Sequence, residues 1–247
     1  EREWLRDFGP MQFGANLWVA PHGAEVPQGA VVVRLDPGLA FGTGTHPTTQ
    51  LSLILLEKYL RPGDTLLDIG CGGGLVAEPM ARLGGDVTGV DAAGDNIRAA
   101  RAHAEGLGLQ IDYRHDTAEA LVEQGAQFDV VLALEIVEHV ADVGLFVGSV
   151  AKLVRPGGLV IFSTLNRTPK AWALAVFGAE RVMRWLPVGT HSHAKFVKPS
   201  ELAAHFRKGG LQLDDLTGLV FSPLTGWSLN SRDLDVNYFA TATRGSD

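Results

Sequence analysis

Two carboxylates and an imidazole follow an apolar run near the middle of the chain, at Glu135, Glu138 and His139. Their i, i+3 and i+4 spacing places the side chains on one face if the segment is helical. Such a set can hold a divalent ion such as Mg²⁺ or Zn²⁺, or remove a proton as a general base. A purely structural interpretation is also open, in which the two acids complement a helix N-terminus and the imidazole packs as a polar side chain.

A glycine-rich turn comes earlier in the chain, at Gly70, Gly72 and Gly74, and Asp91 stands 21 residues after its first glycine. Glycines let the backbone approach a ligand closely, and an acid at the end of the next strand can accept both hydroxyls of a ribose. The dinucleotide fingerprint would need a glycine at position 75, which is leucine here. The pattern therefore predicts a nucleoside-bearing cofactor and disfavours a nicotinamide dinucleotide. The alternative is a tight turn without a ligand.

Short apolar strands alternate with helices on both sides of these motifs, which predicts an α/β, Rossmann-like fold with a mostly parallel sheet and helices on both faces. We predict helices at 47–60, 75–83, 95–107, 118–123, 143–153 and 199–206. Seven strands are predicted at 65–69, 86–90, 111–114, 128–133, 158–163, 211–220 and 236–243, after β-like pieces at 17–20 and 30–35. Asp95 is the expected cap of the third helix, and Thr45 of the first. Ligands of such folds bind at the carboxyl ends of the strands.

Composition excludes several classes of protein. The chain is 46% hydrophobic and 20% charged, which excludes a disordered chain. Its formal net charge of −7 argues against a general nucleic-acid binder. The single cysteine, Cys71, excludes an intrachain disulfide. No signal peptide is apparent at the start, and the longest strongly apolar stretch, 171–179, is shorter than the roughly 20 residues of a membrane span.

Residues 167–208 carry eight basic and two acidic side chains in an otherwise acidic protein. Within it, the segment 167–198 also bears Trp172, Phe177 and Trp185. A basic amphipathic segment is typical of an element that lies on a membrane surface. The alternative is a lid over a pocket, with its apolar face in the core. We expect a cytoplasmic protein, peripheral at the inner face of the membrane if this segment touches lipid.

The turn, with Asp68 before it, resembles motif I of the S-adenosylmethionine-dependent methyltransferases. From about residue 64 to 244 the chain resembles the ubiquinone-biosynthesis O-methyltransferase family. The stretches that carry this resemblance are Leu67–Met80, Val87–Asp91, Glu135–His139, Ser163–Thr168, Gly178–Glu180, Pro187–His191, Lys195-Phe196 and Asp235–Tyr238.

The resemblance implies a class I methyltransferase fold and S-adenosylmethionine as cofactor. It implies cofactor contacts from Asp68, Gly70, Gly72, Asp91 and Leu134. His191 would line the acceptor pocket. Eukaryotic members of the family are described as using a divalent metal at the positions of Glu135, Glu138 and His139.

Residues from about 4 to 50 resemble a different family, the bacterial methyltransferases that modify a ribosomal protein of the stalk base. Leu35–Thr49 carries most of this resemblance. In that family the last Thr of the stretch helps to hold the cofactor, so the resemblance implies a contact from Thr49. The two resemblances predict a hybrid chain, with an N-terminal lead-in segment at 1–45 and a methyltransferase domain at 46–247. Residues 166–198 of that domain are predicted to form a lid or membrane-contacting insertion.

These resemblances imply methyl transfer from S-adenosylmethionine to a phenolic hydroxyl of a polyprenylated catechol or demethylubiquinol. Two alternatives stay open: lysine methylation of a ribosomal protein, and a non-catalytic hybrid that binds the cofactor. The expected partners are a small polyprenyl phenol or quinol and a membrane surface, and no nucleic acid.

Overall fold

The protein is described by a computed structural model that covers residues 10–13, 17–20, 23–34, 47–174, 176–177, 192–222 and 226–246. The chain divides into two compact units, Glu1–Thr117 and Ala118–Asp247. The predicted boundary between a lead-in and a catalytic domain at residue 45 falls outside the described residues, as does Thr45, and stays a prediction. No helix in the described ranges is long and apolar enough to cross a membrane.

The first unit contains two groups of paired strands. In one, β1 (Met11–Phe13) pairs antiparallel with β2 (Leu17–Ala20), which pairs in parallel with β3 (Val31–Arg34). Helix α1 (Pro47–Tyr59) follows. The next elements are β4 (Thr65–Ile69), α2 (Ala77–Arg82), β5 (Asp86–Asp91), α3 (Gly94–Gly106) and β6 (Asp112–His115). Strands β4, β5 and β6 pair in parallel in that order.

The strands β4 and β5 are buried over nearly their whole length. Leu66, Leu67 and Val90 are fully buried, and Val87 is nearly so. Continuous apolar runs of this kind are typical of parallel strands covered on both faces. The carboxyl ends of these strands position the glycine turn and Asp91.

The second unit contains five paired strands. Its elements are α4 (Ala118–Glu123), β7 (Phe128–Leu134), α5 (Val143–Leu153), β8 (Val154–Leu165), α6 (Pro169–Ala171), α7 (Pro199–Lys208), β9 (Leu211–Ser222), β10 (Gly226–Asn230) and β11 (Asn237–Arg244). The strand order is β10-β9-β11-β8-β7. Only β7 and β8 run parallel, and the other neighbours are antiparallel.

Helices α5 and α7 cover one side of β8. The ring of Phe162 on β8 meets Phe146 of α5 edge-on at 6.1 Å and Phe206 of α7 at 5.1 Å between centroids. All three side chains are buried. Edge-to-face contacts of this kind add to the stabilisation from burial. This packing fixes where β8 ends, and with it the positions of Ser163 and Thr164.

The structure departs from the predicted elements at several ends. After α1 there are eight strands instead of seven, because Gly226–Asn230 pairs with β9. Strand β8 begins earlier than predicted, at Val154. A shift in its register against β7 accommodates Pro156 and the two glycines that follow it. The predicted Asp95 cap is wrong: the extended residue before α3 is Ala93, and Asp95 lies in the first turn. Its carboxylate still complements the helix N-terminus there.

Candidate active site

The glycine turn follows β4 in a conformation that favours glycine. Gly70, Gly72 and Gly74 have φ values of 75°, 53° and 89°. Side chains other than glycine rarely adopt this left-handed region. Hydrogen bonds hold the turn in place: the Gly70 and Cys71 N–H groups donate to the Val90 carbonyl oxygen at 2.8 and 3.1 Å.

Tyr113 of β6 packs under this turn, a contact that the sequence analysis missed. A Cβ on Gly89 would lie 2.6 Å from Tyr113 Cδ1, and a Cβ on Gly74 would overlap the Tyr113 hydroxyl. Gly74 is thus required by space as well as by the backbone, and Gly89 is required by space. Tyr113 is 2% exposed, so its buried ring packs firmly against the turn.

Asp91 ties the end of β5 to the turn. Its Oδ2 accepts a hydrogen bond from the Gly72 N–H at 2.9 Å, and its Oδ1 accepts one from the Ala93 N–H at 2.7 Å. A carboxylate has about four acceptor positions, so two remain for hydroxyls of a ligand. This geometry fits the predicted ribose contact.

Asp68 is a buried carboxyl at the end of β4. Burial, and then the negative charge of Asp91, raise its pKa to about 7, although the Ala77 N–H lowers it. Within the described residues its Oδ2 is buried without a hydrogen-bond partner. A buried oxygen of this kind fits the cationic amino group of S-adenosylmethionine. Thr49 lies in the first turn of α1, and its side chain is outside the described residues.

Glu135, at the end of β7 in the second unit, is held in a strained conformation. Its φ is 53°, and it is the one residue other than glycine with a positive φ in the described ranges. Its N–H donates to the carbonyl oxygen and to the Oγ of Ser163, both at 3.0 Å. Its Oε1 accepts hydrogen bonds from Ser163 Oγ at 2.8 Å and from Asn237 Nδ2 at 3.0 Å. Strain of this kind clusters at functional sites.

Glu138 lies three residues further on and is 4% exposed. Its Oε2 accepts a hydrogen bond from the Thr164 hydroxyl at 2.8 Å. Burial, and then the neighbouring charge of Glu135, raise its pKa to about 8, against the lowering effect of its own backbone N–H and of Thr164. The raised pKa favours the protonated form of Glu138 at neutral pH.

The predicted metal set of Glu135, Glu138 and His139 is not assembled. The segment after β7 forms turns instead of the helix that would align the three side chains. His139 is exposed, whereas Glu138 is buried and bonded to Thr164. Among the described residues, no group of three or more His, Cys, Asp or Glu side chains can hold a metal ion. The residues present do not fit a divalent ion.

Three side chains that hold the carboxyl pair were missed from the sequence: Ser163, Thr164 and Asn237. Ser163 and Thr164 are fully buried near the end of β8, and Asn237 begins β11. The sequence does contain a signal for Ser163 and Thr164, because buried polar residues at the end of an apolar strand need a hydrogen-bond partner. Leu134 ends β7 and is half-buried. His191 lies outside the described residues.

A cavity of about 320 Å³ opens beside Glu138. Its walls come from the segment after β7, the start of α5, the segment after β8, the short 3₁₀ turn His193–Lys195 and α7. The lining residues are Val137, Glu138, Val140, Ala141, Val143, Arg167, Ala194, Lys195, Val197, Glu201 and His205. This size matches small-molecule sites in proteins. His193 faces elsewhere, since its Nε2 lies 3.0 Å from the Thr168 carbonyl oxygen and its ring packs on Phe196.

Comparison with known proteins gives two matches. A family model described as ribosomal protein L11 methyltransferase (PrmA) matches residues 1–171. The ubiquinone biosynthesis O-methyltransferase of Ruegeria pomeroyi is 57% identical over 183 residues, which cover 74% of this chain and 74% of that protein. The protein of the same name from Brucella anthropi is 57% identical over 187 residues, 74% of this chain and 75% of that protein. The chain belongs to both methyltransferase families.

Solved structures of S-adenosylmethionine-dependent methyltransferases share its fold. The ribosomal protein L11 methylase of Lactobacillus delbrueckii aligns with a TM-score of 0.63 and 19% identity over 96% of this chain and all of that one. The magnesium protoporphyrin IX methyltransferase of Synechocystis, solved with bound SAH, aligns at 0.61 with 18% identity over 85% of this chain and 90% of that one. The class I methyltransferase fold predicted from the sequence is confirmed, as is the enzyme class of these families.

Proposed function

We propose that this chain transfers a methyl group from S-adenosylmethionine to a phenolic hydroxyl of a polyprenylated catechol or demethylubiquinol, in ubiquinone biosynthesis. The observation that carries the proposal is the strained Glu135, held by Ser163 and Asn237 beside the buried Glu138. A phenol needs to lose its proton before it attacks a methyl carbon, and this pair supplies a base. The names of the curated relatives support the substrate class.

Glu135 is the base in this proposal. Its Oε1 already accepts two hydrogen bonds, while its Oε2 receives none from the described residues. Oε2 takes the proton of the acceptor hydroxyl, and Ser163 and Asn237 keep the carboxylate oriented while it does so. Glu138, with its own proton, lines the cavity in which the acceptor ring lies. His139 keeps a predicted catalytic role only as a second base on the exposed side of this turn.

When bound, S-adenosylmethionine supplies the methyl carbon, and its sulfur keeps the electron pair of the C–S bond as the new O–C bond forms. In the first unit, Asp91 accepts the ribose hydroxyls, Gly70 and Gly72 let the backbone lie close to the bound molecule, and Asp68 faces the amino group. Thr49 and Leu134 are proposed as further contacts with this molecule. His191 is proposed to line the acceptor pocket.

The basic segment 166–198 is proposed to contact a membrane surface at the inner face of the cytoplasmic membrane. Its described part exposes three large apolar side chains: Trp172 is 46% exposed, Leu174 54% and Phe177 49%. The rings of Trp172 and Phe177 stack with centroids 6.1 Å apart. Aromatic side chains beside basic ones are typical of interfacial elements. A polyprenyl substrate resides in the bilayer, so this contact would bring the pocket to its acceptor.

Lysine methylation of a ribosomal protein is the second candidate, favoured by the family model that spans residues 1–171. The third is a non-catalytic hybrid that binds S-adenosylmethionine. Product mass distinguishes the three, after incubation of the full chain and S-adenosylmethionine with a prenylated catechol, with ribosomal protein L11, or with neither. A methylated catechol supports the proposal. Methylated L11 supports the second candidate, and no product in any incubation supports the third.

A further inference from the structure

The cavity beside Glu138 is lined by both apolar and polar residues and carries an unbalanced set of charges. Valines at 137, 140, 143 and 197 form the apolar part. Charged or titratable groups line it from four of the surrounding segments: Glu138 from the segment after β7, Arg167 after β8, Lys195 from the 3₁₀ turn, and Glu201 and His205 from α7. Helix α5 contributes only Val143. Such a site suits an aromatic ring with a polar or charged substituent.

Two of these charges compensate each other. Arg167 donates from Nη2 to Glu201 Oε2 and from Nε to the Phe196 carbonyl oxygen, the latter at 2.8 Å. Glu201 Oε2 also accepts the Lys198 N–H at 3.2 Å, which closes the first turn of α7. The Arg167 and Glu201 side chains therefore both make hydrogen bonds within the protein. The net charge of the pair is zero.

Lys195 is left as the uncompensated charge. Within the described part of the chain, its ammonium makes no ion pair or hydrogen bond, and the side chain is exposed at the cavity mouth. His205 also lines the cavity, and its Nδ1 would be 3.3 Å from a Cβ on Gly144. Glu138 shares the cavity but is bonded to Thr164. A lysine without an acidic partner beside this cavity favours an anionic ligand, because opposite charges attract.

We propose that this cavity holds the acceptor as its catecholate anion and that Lys195 is the catalytic residue that stabilises the anion. The inference rests on the proposed function, because it assigns the cavity to the acceptor of the same reaction. The catechol O–H proton leaves to Glu135, the base of the proposed function, the phenolate oxygen forms a bond to the methyl carbon, and the C–S electron pair remains on sulfur. Lys195 keeps its proton throughout.

The charge of Lys195 would act on the pKa of the bound acceptor. An opposite charge within about 4–6 Å lowers the pKa of an acid by roughly 1–3. A catechol bound there is thus ionised nearer to neutral pH. The cavity should accordingly favour acceptors with acidic ring hydroxyls, and neutral quinones that lack a hydroxyl should bind poorly.

The probe for this inference is 4-nitrocatechol, whose ionisation is visible in its absorption spectrum. The full chain is titrated from acid to alkaline pH at saturating protein, without S-adenosylmethionine. We expect the pKa of bound 4-nitrocatechol to lie about one or more below that of the free compound. Lys195→Met should abolish this lowering, and Lys195→Arg should retain most of it. Lys152→Met is the matched control, because it removes an exposed lysine of α5 that does not line the cavity.

Three results would overturn the inference: wild-type protein that does not bind the probe, a bound pKa equal to the free value, or equal pKa values in Lys195→Met and Lys152→Met. Thermal unfolding of each variant checks that the chain is folded. This binding measurement is independent of turnover. If the probe binds as an anion but no catechol is methylated, the proposed function fails and the cavity assignment stands.

Discussion

Asn237 donates a hydrogen bond of 3.0 Å from its side-chain amide to Oε1 of Glu135, although 102 residues separate them in the chain. Ser163 reaches the same oxygen from the neighbouring strand. The orientation of Glu135 thus depends on two strands beyond its own. The side chain of Glu135 is therefore positioned by the order of the strands in the sheet.

Asn237 should therefore act as a positioning residue. We expect Asn237→Ala to lower kcat at least about tenfold and to shift the pH profile of kcat, because Glu135 loses one of two donors. The affinity for S-adenosylmethionine should stay within about twofold. The loss of one buried hydrogen bond costs about 1 kcal/mol of stability, which denaturant unfolding measures. An unchanged pH profile with reduced stability alone would mean that Asn237 is merely structural.

Asp91 should determine cofactor affinity. Asp91→Ala leaves hydroxyls of the bound ribose unpaired and frees the Gly72 N–H, so we expect a loss of about 1–3 kcal/mol in binding of S-adenosylmethionine. Isothermal calorimetry measures this directly. Asp86→Ala, at the exposed start of the same strand, is the matched control. Equal affinities of the two variants would contradict the ribose assignment.

Glu138 should make stability depend on pH. Its pKa is raised in the folded protein to about 8, above the value near 4.5 of a free side chain. Its contribution to the free energy of unfolding is therefore fully present below about pH 4.5 and decreases as the pH rises towards 8. Glu138→Gln should flatten this decline, as urea unfolding at pH 5 and at pH 8 would reveal. Asp68 titrates in part of the same range, so part of the decline should persist.

Tyr113 should make Gly89 intolerant of a side chain. Gly89→Ala places a methyl group 2.6 Å from the Tyr113 ring, and we expect it to cost about 1–3 kcal/mol of stability. In a Tyr113→Ala background the same change should cost much less, since the two sites are in contact. A double-mutant cycle by chemical denaturation measures the difference. If the stability costs of the two substitutions were additive, the Tyr113 ring would not be the reason that Gly89 tolerates no side chain.

The carboxyl pair should work without a chelatable ion. Glu135 and Glu138 already accept hydrogen bonds from Ser163, Asn237 and Thr164, and His139 is turned to solvent. We expect dialysis against a chelator to leave methyl transfer to a catechol within about twofold. Loss of activity that Mg²⁺ or Zn²⁺ restores would contradict this expectation.

The sequence alone predicted the helices, the strands and the glycine-rich turn after β4 well, because all of them depend on local patterns. The apolar runs of β4 and β5 and the glycines at 70, 72 and 74 carry their own conformational requirements. The arrangement around Glu135 could not be predicted in this way. It depends on Asn237, which is distant in sequence, and on turns where the i, i+3, i+4 spacing suggested a helix. The predicted metal set relied on that helix.

The most direct measurement of the central claim is transfer of a ¹³C-labelled methyl group from S-adenosylmethionine to a prenylated catechol, followed by NMR in a single turnover. The account predicts an aryl methoxy signal with the wild-type chain. With Glu135→Gln it predicts the same signal at least roughly 10²-fold more slowly, with unchanged cofactor affinity. No methoxy signal with the wild-type chain, or equal rates for the two proteins, would contradict it.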